Sequence, residues 1–261
     1  MPYYIVILGT AGSGKTTLTG SLQGWLEDYG FDAATINLDP AAEYLPYKPD
    51  IDVRDYVNAR EIMLKYRLGP NGALIVSSDL IATKLDEILD EVNALRSNYI
   101  LVDTPGQLEV FAFRESGPIV LNTIIGDSKA VTLFLIDSIF SRTPSGLLSA
   151  LLLSASIHVR LGKPQINVLA KSDLLSNEDI DRILNYMENP GEFAYSLVND
   201  RAARILWDLG DLEAMLPRLT MYDVVPVSAI SRDGFDNLYA LIQRVVAGGE
   251  DYLTEEPSPI L

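Results

Sequence analysis

The chain of 261 residues carries 36 acidic against 20 basic side chains, a net charge of −16, and no cysteine. That charge repels nucleic-acid phosphates and anionic lipid over most of the surface, and the missing thiols exclude disulfides and thiolate metal sites. A hydrophobic content of 48% is enough for one large core. The opening MPYYIVILGTAGSG lacks the basic start and cleavage segment of an export signal. The apolar stretch Gly146–Ile157 reads as a buried helix too short to span a bilayer. A cytoplasmic protein with no direct nucleic-acid or membrane contact is expected.

Tyr3–Leu8 is a continuous apolar run, the mark of a strand buried on both faces of a parallel sheet. It runs into GTAGSGKT, Gly9 to Thr16, which fits G-x-x-x-x-G-K-[ST] and leads into a helix predicted over Lys15–Asp28. In that setting the loop amides and the helix N-terminus receive phosphate oxygens. Gly12 and Gly14 let the backbone approach, and Ser13 and Thr17 belong to the same cradle. Lys15 places its charge on the β- and γ-phosphates, and the Thr16 hydroxyl suits Mg²⁺.

A second strand, Ala33–Leu38, ends at Asp39 in NLDPA. A carboxylate at that end of a strand reaches the ligand crevice of an open α/β sheet, where it can approach Mg²⁺ or an attacking water. Helical patterns follow over Val53–Arg67 and Asp79–Arg96. Between them YRLGPNGAL reads as a turn, because Gly69 permits unusual φ, Pro70 fixes its own φ, and Asn71-Gly72 is a favoured turn pair.

The strand Tyr99–Val102 ends at Asp103 in YILVDTPGQLEVF, placed as a Walker-B acid that holds Mg²⁺. Gly106 can turn its N–H to a γ-phosphate, and Gln107 can orient water. Glu109 lies early in a helix predicted over Leu108–Ile124, where acids also stabilise the helix itself. Phe111 and Phe113 read as core, with a dimer contact as the alternative. A further strand, Val131–Ile136, precedes a helix over Ser145–Leu161 that carries the single histidine, His158, to which no chemistry is assigned.

The strand Gln165–Leu169 opens into AKSD. This resembles the guanine-reading N-K-x-D motif of GTPases, in which Asp173 would accept from N1–H and the 2-amino group of guanine, a donor pair that adenine lacks. Lys171 can lay its apolar stem over the base. The segment Ser176–Thr220 is helix-rich and too long for a simple connection, so it reads as an insertion (about 176–220) within a single domain, 1–247. Its Phe193, Leu206, Trp207 and Leu216 read as packing residues, with a client-binding surface as the alternative. The strand Val224–Val227 leads to PVSAI, which resembles the S-A-x loop of GTPases, with Ser228 in the nucleotide-binding loop and the Ala229 N–H placed to donate to guanine O6, then to a helix over Phe235–Val246. Residues 248–261 form an acidic tail expected to be flexible.

This alternation predicts an α/β, three-layer P-loop NTPase fold with a mainly parallel sheet. About 60 residues with two helical patterns separate Asp39 from Asp103, so a crossover is expected there rather than a hairpin. That order groups the chain with signal-recognition GTPases and Min/Par ATPases, the SIMIBI class.

GTAGSGKTTL, NLDPA, LPYKPDIDVRDYV, LGPNG and VDTPGQLEVF stand in the order found in GPN-loop GTPases, which the chain resembles over nearly its whole length up to the guanine-reading region. The resemblance implies a Mg²⁺-dependent GTPase with bound GTP or GDP, working as a homodimer. In that family the loop equivalent to Gly69, Pro70 and Asn71 reaches the partner's active site. Asp39, Asp103, Gln107 and Glu109 correspond to catalytic-site residues. Eukaryotic members assist biogenesis of RNA polymerase complexes, so a client protein or polymerase subunit is an implied partner. The departure is Ala170, where the guanine motif has Asn, a loss of one hydrogen bond worth roughly 0.5–1.5 kcal/mol. A nucleotide or small-molecule kinase is the first alternative, but Arg182, Arg201 and Arg204 are scattered among acids and form no obvious lid. A Min/Par-like ATPase would carry an extra lysine where Thr10 and Ala11 stand. A non-catalytic scaffold that only binds GDP or GTP is the last alternative.

Overall fold

The computed structural model describes residues 1–246, apart from the side chains of Glu109, Val110 and Arg204. Seven strands form one sheet, and every described pairing is parallel. They are β1 (Tyr3–Gly9), β2 (Ala33–Asn37), β3 (Ile51–Asp52), β4 (Tyr99–Asp103), β5 (Ala130–Asp137), β6 (Gln165–Ala170) and β7 (Val224–Val227). Their spatial order is β3-β2-β4-β1-β5-β6-β7, so β1 lies centrally between β4 and β5. The register sets Ile7 beside Asp103 and Gly9 beside Leu135. The chain therefore leaves β1 directly between the ends of β4 and β5, at the point where the strand order reverses.

The helices cover both faces because each presents one apolar stripe. On one face α1 (Lys15–Asp28) and the last helix, Phe235–Val246, bury Leu18, Leu22, Trp25, Phe235, Leu238 and Ile242 against Ile5, Ile7, Leu133 and Val168. On the other lie α2 (Ala59–Tyr66), α3 (Pro70–Thr83), α4 (Leu85–Ala94), α5 (Leu108–Phe111), α6 (Ser116–Ile125), α7 (Ser138–Ser141) and α8 (Pro144–Leu161). Between β6 and β7 the chain forms α9 (Asn177–Glu188), α10 (Pro190–Asn199) and α11 (Leu209–Leu219), and Phe-Val helix 235–246 is α12. Phe193 and Leu216 are fully buried, whereas Leu206 is exposed and Trp207 half-buried.

Several predicted helices divide. Val53–Arg67 becomes a single 3-10 turn and α2, whose start is fixed by Asn58 accepting from the amides of Arg60 and Glu61. Leu108–Ile124 splits into α5 and α6. The turn expected at Gly69-Pro70-Asn71 is instead the beginning of α3. Gly69 is its N-cap with an ordinary extended backbone (φ −73°), and Pro70 fills the first helical position, where a missing N–H costs nothing. The left-handed residue is Arg67, which closes α2 (φ 53°). The two-residue strand β3 has too little sequence to announce itself.

α8 is 18 residues long, and by length and composition alone it is long and apolar enough to cross a bilayer, contrary to the expectation of a shorter segment. Its buried stripe of Leu147, Leu148, Leu151, Ser154, Ile157 and Leu161 packs toward β5, α10 and α11, so here it is a core helix. His158 lies against the Tyr222 ring with its Nδ1 buried and unpartnered. Phe111 is core, while Phe113 is 43% exposed.

Candidate functional site

The loop from Thr10 to Gly14 curls over the N-terminus of α1. Gly12 (φ 78°) and Gly14 (φ 99°) hold left-handed conformations that let the chain turn its amides inward. Lys15 is almost fully buried, and its ammonium donates to the carbonyls of Gly9 and Thr10, both at 3.0 Å. Burial holds its pKa below the usual lysine value, and the charges of Asp103 and Asp39 oppose that shift.

Asp103 ends β4 and is 1% exposed. Its Oδ2 accepts from the Tyr47 hydroxyl at 3.0 Å, while its Oδ1 is buried without a hydrogen-bond partner. Burial pushes its pKa up to about 6, against the pull of Thr16, Tyr47 and Lys15. Asp39 follows the end of β2 and is shaped by Asn37, whose side-chain oxygen accepts from the Asp39 amide at 3.0 Å. The Asp39 carboxylate accepts from the Ala41 amide at 2.9 Å, and the nearby Gly106 amide favours its charged form. Burial raises its pKa as well, with those amides and Lys15 opposing. Two carboxylates thus act on one lysine at adjacent strand ends, and the Gly106 amide lies beside Asp39.

The loop between β2 and β3 covers this cluster. Arg54 forks onto Asp52 and donates to the Ala42 carbonyl at 2.8 Å, and Asn37 reaches Asp52 at 2.9 Å. The loop is therefore tied to both strands it connects.

A cavity of about 170 Å³ opens beside the phosphate loop, lined by Ser13, Gly14, Thr17, Ala170, Lys171, Asp173 and Ala229 among others. Three separated sequence motifs meet there. Lys171 donates to the Gly12 carbonyl at 2.6 Å and pairs with Asp137 at 2.7 Å, which links the end of β5, the phosphate loop and the AKSD loop. Ser228 is buried, and its hydroxyl accepts from the amides of Ile230 and Ser231, so it shapes its loop rather than lining the cavity. The Ala229 carbonyl is held by Ser21 of α1 at 2.7 Å.

Gln107 stands at the start of α5 and lines a second, larger cavity of about 630 Å³ with Thr10, Ala11, Gly106, Phe113, Phe134 and Phe140. Gly69, Pro70 and Asn71 are exposed at the N-terminus of α3 and line neither cavity. Ala73 is the first residue of α3 to donate within the helix, to Gly69, so the Asn71 and Gly72 amides have no partner inside it. The side chain of Glu109 and the tail 248–261 lie outside the described residues. Sequence reasoning overlooked Tyr47, Asn37 and Asp137. Each sat in a quoted or strand-ending stretch, but nothing local names its partner.

A phosphate loop after the central strand, acids at the neighbouring strand ends and a base cavity with Asp173 define a P-loop GTPase. Residues 7–248 match the family model described as "Conserved hypothetical ATP binding protein". The chain is 36% identical over 239 residues to GPN-loop GTPase PAB0955 of Pyrococcus abyssi, covering 91% of this chain and 94% of that protein. It is 32% identical to GPN-loop GTPase 1 of Dictyostelium discoideum, covering 96% of this chain but 62% of that longer relative. The apo crystal structure of PAB0955 superposes with a TM-score of 0.82 at 35% identity, over 93% of this chain and 97% of that one. The chain belongs to the GPN-loop GTPase family. The family model's description says ATP, whereas the relatives are named GTPases; a carboxylate at the base cavity suits guanine.

Proposed function

We propose that the chain hydrolyses GTP to GDP and phosphate in a Mg²⁺-dependent reaction, as a homodimer whose protomers share residues across the nucleotide face. The observation that carries this reading is the convergence of Lys15, Asp39, Asp103 and the Gly106 amide at the ends of β1, β2 and β4. Among the described residues no group of three or more carboxylates or imidazoles could hold a metal by itself. A cation shared with nucleotide phosphates needs fewer, and the orphaned Oδ1 of Asp103 near the Thr16 hydroxyl fits that use. Thr16 and Asp103 would hold Mg²⁺, with Asp39 close by, and its charge would stabilise the phosphoryl oxygens.

The chain's own groups supply the remainder. Lys15 exchanges the carbonyls of Gly9 and Thr10 for β- and γ-phosphate oxygens. The Gly106 amide, beside Asp39, turns to the γ-phosphate, and the Asp39 carboxylate faces the attacking water. Gln107, with Glu109 by resemblance, orients that water. Its oxygen bonds to the γ-phosphorus as the bond to the β–γ bridging oxygen breaks, leaving GDP and phosphate. The partner's Asn71, at a helix start with unused amides, completes the water's surroundings. Positioning and electrostatics provide the acceleration.

The test is phosphate release from saturating GTP with water as the only acceptor. Wild type is expected to release phosphate, and Gln107→Leu to lower kcat about 100-fold or more while still binding GTP. Turnover that needs an added acceptor would establish a kinase instead, and unchanged kcat in Gln107→Leu would remove that residue from the reaction.

A further inference from the structure

The Tyr47 hydroxyl is a charge-facing group that the GTPase reading above does not use. Tyr47 comes from the loop between β2 and β3, which Arg54 and Asp52 tie down at its far end. Its ring sits against α1 at Gly20, where a Cβ would stand 3.1 Å from the Tyr47 Cβ. A side chain at Gly20 would press on the ring and shift it by a few tenths of an ångström. From there the hydroxyl reaches Asp103 Oδ2 at 3.0 Å. Hydrogen bonds onto an ionised carboxylate are about twice as strong as neutral ones, so this contact fixes which way the carboxylate faces. The second oxygen, Oδ1, is left buried and unpartnered.

We propose that Tyr47 is a positioning residue for the cation shell: by holding Asp103 Oδ2 it fixes the carboxylate with Oδ1 as its one free oxygen for the shell beside Thr16. The inference rests on the Mg²⁺-dependent reading. Groups that orient a carboxylate behind a metal shell set metal affinity by about 10–100-fold. A tyrosine serves because its hydroxyl keeps a proton to donate to the carboxylate.

Tyr47→Phe keeps the ring against Gly20 and removes only the hydroxyl. Tyr44→Phe, at a 79% exposed tyrosine of the same loop, is the control. The measurement is binding of a fluorescent GTP analogue by the full chain, titrated with Mg²⁺ and repeated in EDTA, alongside thermal melts without nucleotide. The expected result is a half-saturating Mg²⁺ concentration raised about tenfold or more in Tyr47→Phe. Binding in EDTA and the melting temperature stay as in wild type, and Tyr44→Phe is unchanged throughout. A Mg²⁺ requirement within about twofold of wild type in Tyr47→Phe would overturn the positioning role alone. Equal loss of binding with and without Mg²⁺ would make Tyr47 a packing residue and overturn it too. Wild-type binding indifferent to Mg²⁺ would overturn the underlying reading, and the inference with it.

Discussion

Asp103 is held where a lone carboxylate is costly: at the end of a buried strand, with one oxygen unpartnered. A pKa raised from 3.8 to about 6 means that the folded chain binds more protons than the unfolded one between those values. Stability contributed by the protonated form is therefore lost as pH rises through that window, on the order of 3 kcal/mol once the group is ionised. In the nucleotide-free protein with chelator, Asp103→Asn is expected to melt above wild type at pH 7.5. The gain should shrink as pH falls from 6 toward 4, as followed by calorimetry. A variant melting at or below wild type at pH 7.5 would contradict this account of the buried charge. At this scale the sequence was informative wherever a residue sits at a strand end inside a spaced motif. Lys15 and Thr16 were read from the phosphate-loop spacing, Asp39 and Asp103 from strand ends, and Lys171 and Asp173 from resemblance to a guanine-reading motif; the fold sets them around one end of the sheet. Tyr47 and Asp137 were not read from the sequence, because their importance depends on which side chain the fold brings opposite them, Asp103 in one case and Lys171 in the other.

Among the elements, α1 and α12 carry uninterrupted apolar stripes, and their predicted limits coincide with those observed. The start of α3 did not: Gly, Pro, Asn and Gly each favour turns, yet Pro at a first helical position followed by the apolar ALIV run favours a helix more. A helix start offers the oriented amides of Asn71 and Gly72, a more fixed donor set than a free turn. α8 shows the opposite difficulty, since its composition fits both a core helix and a bilayer span. Packing separates the two. Leu151→Ala, at a fully buried position facing the sheet, is expected to cost about 2–5 kcal/mol in urea unfolding. Val159→Ala on the same helix, 83% exposed, is expected to change stability by less than about 0.5 kcal/mol. Equal costs at both positions would contradict the core assignment.

For the whole molecule, the parallel sheet and the three-layer arrangement were legible because apolar runs and helical stripes alternate along the chain, whereas the strand order came from the structure. The proposed reach of the Gly69-Pro70-Asn71 segment to a second copy's nucleotide came from the family resemblance, not from this chain's own pattern. One protomer gathers the phosphate loop, both acids and the base cavity, yet leaves Asn71 on an exposed helix start away from both cavities. In the proposed homodimer Asn71 serves from the second copy, and a two-fold dimer gives each site one such contribution. The most direct measurement is therefore GTP hydrolysis after mixing Gln107→Leu with Asn71→Ala, each nearly inactive alone. Random exchange makes about half of the dimers mixed, and each mixed dimer carries one site with both residues intact. Mixing is expected to restore about one quarter of wild-type activity. Activity no greater than the average of the two separate variants, in dimers shown to have exchanged, would contradict a shared site.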